Sequence, residues 1–143
     1  MFGTVERKID DKNRIVLPTN FRDLLGSDFY LTIGFDGNGE LRSKENFIEY
    51  TRTIEQQSMF NKNARALRRS ILGRAINITL DSSGRFLLPK NILENLAIQK
   101  DVVFVGVGSI VEIWSKERYD EFESTYDNDT ISQIAQELSN LES

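Results

Sequence analysis

The sequence predicts an α+β fold, mainly β with flanking helices, in which two copies of one small unit close on a shared core. Three observations predict it. First, Ile9-Asp10-Asp11-Lys12-Asn13-Arg14-Ile15-Val16-Leu17-Pro18 returns 71 positions later as Leu80-Asp81-Ser82-Ser83-Gly84-Arg85-Phe86-Leu87-Leu88-Pro89. An echo at a fixed period is the mark of a repeated architecture. Second, the echo continues beyond the motif: Leu25 matches Leu96, and after a one-residue slip Leu41, Ser43-Lys44-Glu45 and Phe47 match Ile113, Ser115-Lys116-Glu117 and Tyr119. Third, each copy spans only about 45 residues, near the size below which a unit cannot bury enough apolar surface alone, so the copies are expected to fold onto each other.

Taken in order, Phe2 to Ile9 reads as a strand with Arg14 to Leu17 as its partner, joined by Asp11-Lys12-Asn13. In the second copy Asn77 to Leu80 leads to Arg85 to Leu88 through Ser82-Ser83-Gly84. Three-residue loops commonly combine a type I turn with a residue in the left-handed region, where Asn and Gly fit at least cost. That third position is Asn13 in one copy and Gly84 in the other. Pro18 and Pro89 end the strands and stand where a helix can start, because the missing N–H does no harm in a first turn. Short helices over Thr19 to Leu25 and Lys90 to Leu96 are expected to bury Phe21, Leu24, Leu25 and Ile92, Leu93, Leu96, with Gly26 as a terminator.

Hairpins follow, Phe29 to Ile33 turning at Asp36-Gly37-Asn38-Gly39, and Val102 to Val105 turning at Gly108-Ser109 into Ile110 to Ile113. Ser43 and Ser115 are N-cap residues for the helices that close each copy. A break at Ser58-Met59-Phe60-Asn61 precedes a helix from Lys62 to Leu72. A last helix, capped at Asn128 or Asp129, places Ile131, Ile134, Ala135, Leu138 and Leu141 on one stripe that must be covered by this chain or a neighbour. The expected division is a first repeat with its trailing helix (1–57), a basic helical linker (58–74), a second repeat with its trailing helix (75–126) and a C-terminal amphipathic helix (127–143).

The chain has no cysteine and no histidine, which removes disulfides, thiolate metal sites and the commonest general base. No Gly-rich phosphate loop or metal-ligand spacing occurs, so no cofactor, metal or small-molecule substrate is expected. The N-terminus lacks a signal-like apolar run and no stretch reaches membrane-span length, which predicts a cytoplasmic protein with no membrane partner. The net charge of −4 conceals a dipole: residues 61–90 carry seven Lys/Arg against one acid, and residues 112–143 carry two bases against nine acids. A basic centre suits a polyanion partner, and the bland alternative is a set of solvated helix faces.

The doubled Asp-x-x-x-Arg places Asp10 opposite Arg14 and Asp81 opposite Arg85 across a turn. Such an aspartate can accept loop N–H groups and can hold a guanidinium in a bidentate pair, which restricts its direction. A lone surface pair of this kind is worth about 0–1 kcal/mol and would be only a turn device. Its recurrence in two diverged copies, whose loop interiors differ, favours a functional role. A shared-proton aspartate dyad is disfavoured, because the Arg beside each Asp lowers the pKa that an acid catalyst needs raised. No enzymatic activity is expected. Lys62, Arg65, Arg68 and Arg69, spaced by three and four, form a candidate phosphate-facing ridge; the alternative is pairing with the acidic tail or another subunit.

The two copies of Asp-x-x-x-Arg, each followed by three apolar residues and Pro, resemble the MraZ family, bacterial transcription regulators associated with the division and cell-wall gene cluster. One copy resembles the wider AbrB/MazE group of swapped-hairpin DNA-binding proteins, the SpoVT-AbrB domain. The resemblance covers about residues 1–125. It implies two AbrB-like swapped-hairpin repeats forming one pseudo-two-fold barrel. It further implies a ring-shaped homo-oligomer, with eight subunits the first choice, that binds short repeated G-rich boxes in the double-stranded promoter DNA of its own operon, and hence nucleoid association. By position, the DNA-binding residues are then Arg7, Lys8, Lys12, Asn13 and Arg14 in the first copy and Arg85 in the second, with Asp10 and Asp81 orienting the motif. Arg suits guanine O6 and N7, and Lys12 suits phosphate. The uncharged loop Ser82-Ser83-Gly84 implies that the first copy dominates binding. Two other functions fit the same resemblance: an antitoxin-like protein-binding module, or a structural ring scaffold.

Overall fold

The structure, a computed structural model, describes residues 1–142. The first repeat contributes β1 (Phe2–Lys8), β2 (Arg14–Val16), α1 (Thr19–Leu25), β3 (Asp28–Ile33), β4 (Gly39–Ser43) and α2 (Lys44–Glu55). The basic helix α3 (Lys62–Leu72) leads to β5 (Ile76–Thr79), β6 (Arg85–Leu87), α4 (Lys90–Leu96), β7 (Asp101–Val107), β8 (Val111–Ser115) and α5 (Lys116–Thr125). Helix α6 (Asn128–Glu142) follows. Local chemistry sets the boundaries. Asn13 and Gly84 have φ of 61° and 74°, the left-handed values that the two turns require. Ser43 Oγ accepts from Asn46 N at 3.2 Å and Ser115 Oγ from Arg118 N at 3.1 Å, satisfying orphan donors of α2 and α5.

Six strands form one sheet in the order β1-β7-β8-β4-β3-β5, and β2 pairs with β6 in a separate ribbon. Each repeat lends its first strand to the other: β1 lies antiparallel on β7, and β5 on β3. Exchanging every strand for its counterpart and reversing the order reproduces the sheet, so a pseudo-two-fold axis relates the repeats. The axis passes between Ile15 and Phe86, the central partners of the ribbon, and between Glu40 and Glu112, partners across β4 and β8. One core results. Ile15, Leu17, Phe21, Phe29 and Leu31 from the first repeat pack with Phe86, Leu88, Ile92, Leu96 and Phe104 from the second. Phe86 meets a ring from each repeat edge-on, Phe29 at 5.7 Å and Phe104 at 6.4 Å between centroids.

Several expectations are corrected. β1 is not laddered to β2; the two are joined at the turn by Asp10 N donating to Arg14 O at 2.9 Å, after which β2 runs to β6. A self-contained hairpin would leave Ile15 and Leu17 on an uncovered face, whereas the exchange buries them between repeats. The one-residue slip is two changes: four residues (97–100) join α4 to β7 where two (26–27) join α1 to β3, and the hairpin from Val102 to its partner Ser115 is one residue shorter than that from Phe29 to its partner Ser43. Leu24 is exposed rather than buried. The last helix is capped one residue earlier than expected, Asp127 Oδ1 accepting from Thr130 N at 2.9 Å. None of the residues of α6 is buried, so its apolar stripe is uncovered within the chain, with Leu138 and Leu141 56% and 82% exposed. No described helix is long and apolar enough to cross a membrane.

Candidate nucleic-acid interface

The ribbon registers Arg14 with Leu87, Ile15 with Phe86 and Val16 with Arg85. Strand alternation sends Ile15 and Phe86 into the core and turns the other four side chains outward. Val16 and Leu87 are 38% and 58% exposed on that face. The outer surface is therefore a small two-fold pattern, each arginine beside an apolar residue from the other repeat. The two arginines stand two residues apart along the ribbon, about 7 Å at the usual strand rise.

Each aspartate presets its arginine. Asp10 Oδ1 accepts from the backbone N–H of Lys12 at 2.9 Å and of Arg14 at 2.8 Å, which locks the turn, while Oδ2 accepts from Arg14 Nε at 2.9 Å. The second copy repeats this: Asp81 Oδ1 accepts from Ser83 N and Arg85 N, both at 2.9 Å, and Oδ2 from Arg85 Nε at 3.0 Å. The expected bidentate fork is replaced by a single Nε contact, because one carboxylate oxygen is already engaged by backbone. Among the described residues the terminal amines of both guanidinium groups have no partner, so the edge that could grip an acceptor pair faces outward.

The backbone N–H of Arg14, ahead of its side chain, holds the Asp10 carboxyl below the usual range, and the N–H of Arg85 does the same for Asp81. Both groups therefore stay ionised, the reverse of what a general acid needs. A carboxylate with a depressed folded pKa supports its turn above the unfolded value, about 3.9, and loses that support as the pH falls through the folded value. Asp10→Asn keeps the turn's acceptor oxygen but sets an amide donor against Arg14 Nε. For the DNA binding that the resemblance implies, we expect this variant to be weaker at neutral pH, and the wild type to be insensitive to Asp10 protonation above the ordinary carboxylate range. Tighter binding by Asp10→Asn in a titration would make Asp10 a merely repulsive turn residue.

The remaining sequence-predicted residues are placed unevenly. Lys12 and Asn13 are exposed at the tip of the first turn, and Asn13 O accepts from Leu88 N at 2.9 Å, stitching that turn to the other repeat. Arg7 and Lys8 are successive residues of β1 and so project from opposite faces; Arg7 Nη1 is engaged by the Glu6 carbonyl at 2.9 Å. The helix α3 ridge is partly structural: Arg65 Nη1 donates to Met59 O at 2.9 Å, and Arg68 Nη2 donates to Glu55 O at 3.2 Å and Gln57 O at 3.3 Å, closing the end of α2. Lys62 and Arg69 lie exposed on the same helix. Among the described residues none of the four pairs with an acid of α6.

The second turn is not without charge. Arg22, on α1 of the first repeat, covers Gly84: a Cβ there would overlap the guanidinium Nη2 and Cζ and lie 2.7 Å from Nη1. Arg22 Nε donates to Leu17 O at 3.1 Å, and Leu17 N in turn donates to Gly84 O at 3.0 Å.

A family described as "MraZ protein, putative antitoxin-like" matches residues 1–70 and again 71–141. The chain belongs to the MraZ family. A protein of Mycoplasmopsis pulmonis named "Transcriptional regulator MraZ" is 44% identical over 138 residues, which is 96% of this chain and 94% of that one. Proteins of the same name from Mycoplasma mobile and Mesoplasma florum are 40% and 34% identical, over 96% of this chain and 95% and 94% of theirs. The two MraZ matches meet at residues 70 and 71, in the last turn of α3, close to the period seen in the sequence.

Sequence reasoning missed Val16, Leu87 and Arg22. A run of three apolar residues reads as a buried strand, and only the core positions of Ile15 and Leu17, and of Phe86 and Leu88, show that the middle residue of each run faces out. For Arg22 the available signal was reciprocal: Gly84 replaces Asn13 in the repeat where Arg22 faces it.

Proposed function

We propose that this MraZ-family chain is a sequence-specific DNA-binding transcriptional regulator that lays the β2–β6 ribbon in the major groove. The outward face of that ribbon carries the reading: two preset guanidinium groups related by the pseudo-two-fold, each flanked by an exposed aliphatic side chain. The major groove admits a two-stranded ribbon, guanine offers O6 and N7 to an arginine fork, and thymine offers a methyl to an aliphatic contact. Lys12 then serves phosphate. The name that the relatives bear, transcriptional regulator, agrees with this.

The uncovered stripe of α6 supports self-assembly, since an amphipathic helix gains its stability by covering that face. We propose a ring, with eight subunits first, whose neighbouring ribbons engage successive G-rich boxes in the promoter of the chain's own operon and gain affinity through effective concentration. The test is a gel shift with the upstream region of the encoding operon, alongside light scattering. Retardation that depends on box number, falls steeply when one box moves by half a helical turn and recovers at a whole turn is expected from a large multimer. A monomer in solution, or retardation indifferent to box phase, would overturn the ring. Absence of retardation would return the chain to the antitoxin-like or scaffold readings.

A further inference from the structure

We infer that Arg22 is the phosphate-contacting cation of the second repeat's turn, so that both Asp-x-x-x-Arg turns carry a basic side chain drawn from different places in the chain. The inference rests on the DNA-binding reading above. At the 71-residue period Lys12 corresponds to Ser83, Asn13 to Gly84 and Arg22 to Leu93. The exchange is reciprocal. The first turn has its own lysine and an asparagine side chain, and the pseudo-two-fold sets Leu93 of α4 at the corresponding place beside it. The second turn has neither, and Arg22 of α1 fills the space that a side chain at position 84 would need.

The geometry fits an anion rather than a simple brace. The single hydrogen bond from Nε to Leu17 O and the seat over Gly84 anchor the guanidinium, and among the described residues its two terminal amines have no partner and no acid within ion-pair reach. A guanidinium held at Nε presents the remaining fork to a phosphate, the group for which that planar pair of donors is suited. It does so against the backbone of Gly84, one residue before Arg85, whose side chain lies on the outer face of the ribbon. Base-facing and phosphate-facing cations then stand side by side in both repeats, Arg14 with Lys12 and Arg85 with Arg22. The second repeat is thereby a full partner in binding, contrary to what its uncharged loop implied.

The test uses the full chain and fluorescence anisotropy with matched and scrambled duplexes between about 50 and 200 mM salt. Arg22→Leu, which copies the residue at position 93, should bind both duplexes roughly five- to tenfold more weakly near 0.1 M salt and lower the salt slope by about one per bound subunit. Adding Ser83→Lys to that variant, which copies Lys12, should restore affinity and slope together. An unchanged slope in Arg22→Leu overturns the inference. A loss that Ser83→Lys does not restore, in protein with unchanged circular dichroism, makes Arg22 a structural clamp and overturns it too. Arg14→Ala measured in parallel separates the two levels: loss there with an unchanged slope in Arg22→Leu removes only Arg22, whereas a wild-type chain that binds no duplex removes the DNA reading and this inference with it.

Discussion

Arg14→Ala should abolish sequence-specific DNA binding and leave the fold intact. The side chain stands on the outer face of the ribbon, and its one hydrogen bond among the described residues is to Asp10, which keeps its two backbone donors when the guanidinium is gone. A lost bidentate base contact costs about 1–3 kcal/mol, roughly 5- to 150-fold per site, a loss that the proposed ring would multiply over the subunits engaged. Anisotropy on matched and scrambled duplexes measures it, with circular dichroism as the control for folding. Lys12→Ala is the contrast: as a phosphate contact it should weaken both duplexes alike and reduce the salt slope by about one per engaged subunit. Full discrimination retained by Arg14→Ala would sink the proposed base contact, and a loss confined to the matched duplex in Lys12→Ala would make that lysine a base reader.

The largest effect on stability is expected one strand away, at Phe86. Its side chain is 2% exposed, sits on the pseudo-two-fold opposite Ile15 and meets Phe29 and Phe104 edge-on, so its removal opens a cavity shared by both repeats. Phe86→Ala should cost about 3–5 kcal/mol, a large share of the roughly 5–15 kcal/mol that holds a domain folded. At fixed protein concentration the midpoint of thermal unfolding should fall by roughly 6–20 °C. Leu87→Ala, its neighbour on the solvent face, should change stability by no more than about 0.5 kcal/mol and act instead on affinity for DNA. Equal destabilisation by the two variants would contradict the alternation that turns Leu87 outward.

These two neighbours also show where sequence reading stopped. The turn at Ser82-Ser83-Gly84 was legible because a left-handed position restricts residue choice locally, and Gly84 and Asn13 obey that restriction at φ 74° and 61°. The short helices after Pro18 and Pro89 were legible for a similar reason. The orientation of Val16 and Leu87 was not, since three residues are too few to display a period of two. Arg65 and Arg68 looked equivalent to Lys62 and Arg69 at helical spacing, yet the carbonyls that engage the first two belong to the end of α2 and the loop after it.

By itself the sequence determined that this chain is a doubled unit, where its turns and helices lie, and that an aspartate and an arginine face each other at both turns. All of these follow from interactions within a few residues: the steric demand of a positive φ, the missing N–H of proline, a capping hydroxyl, a carboxylate reaching the backbone two and four residues on. Only the tertiary structure decided that β1 joins β7 and β5 joins β3, that the ribbon turns two arginines outward about one axis, and that Arg22 lies on Gly84. Each of these joins residues far apart in the chain, Arg22 and Gly84 by 62 positions. Local patterning leaves several strand partners open, and burial of one shared core selects among them, because neither repeat can cover Ile15, Leu17, Phe86 and Leu88 alone.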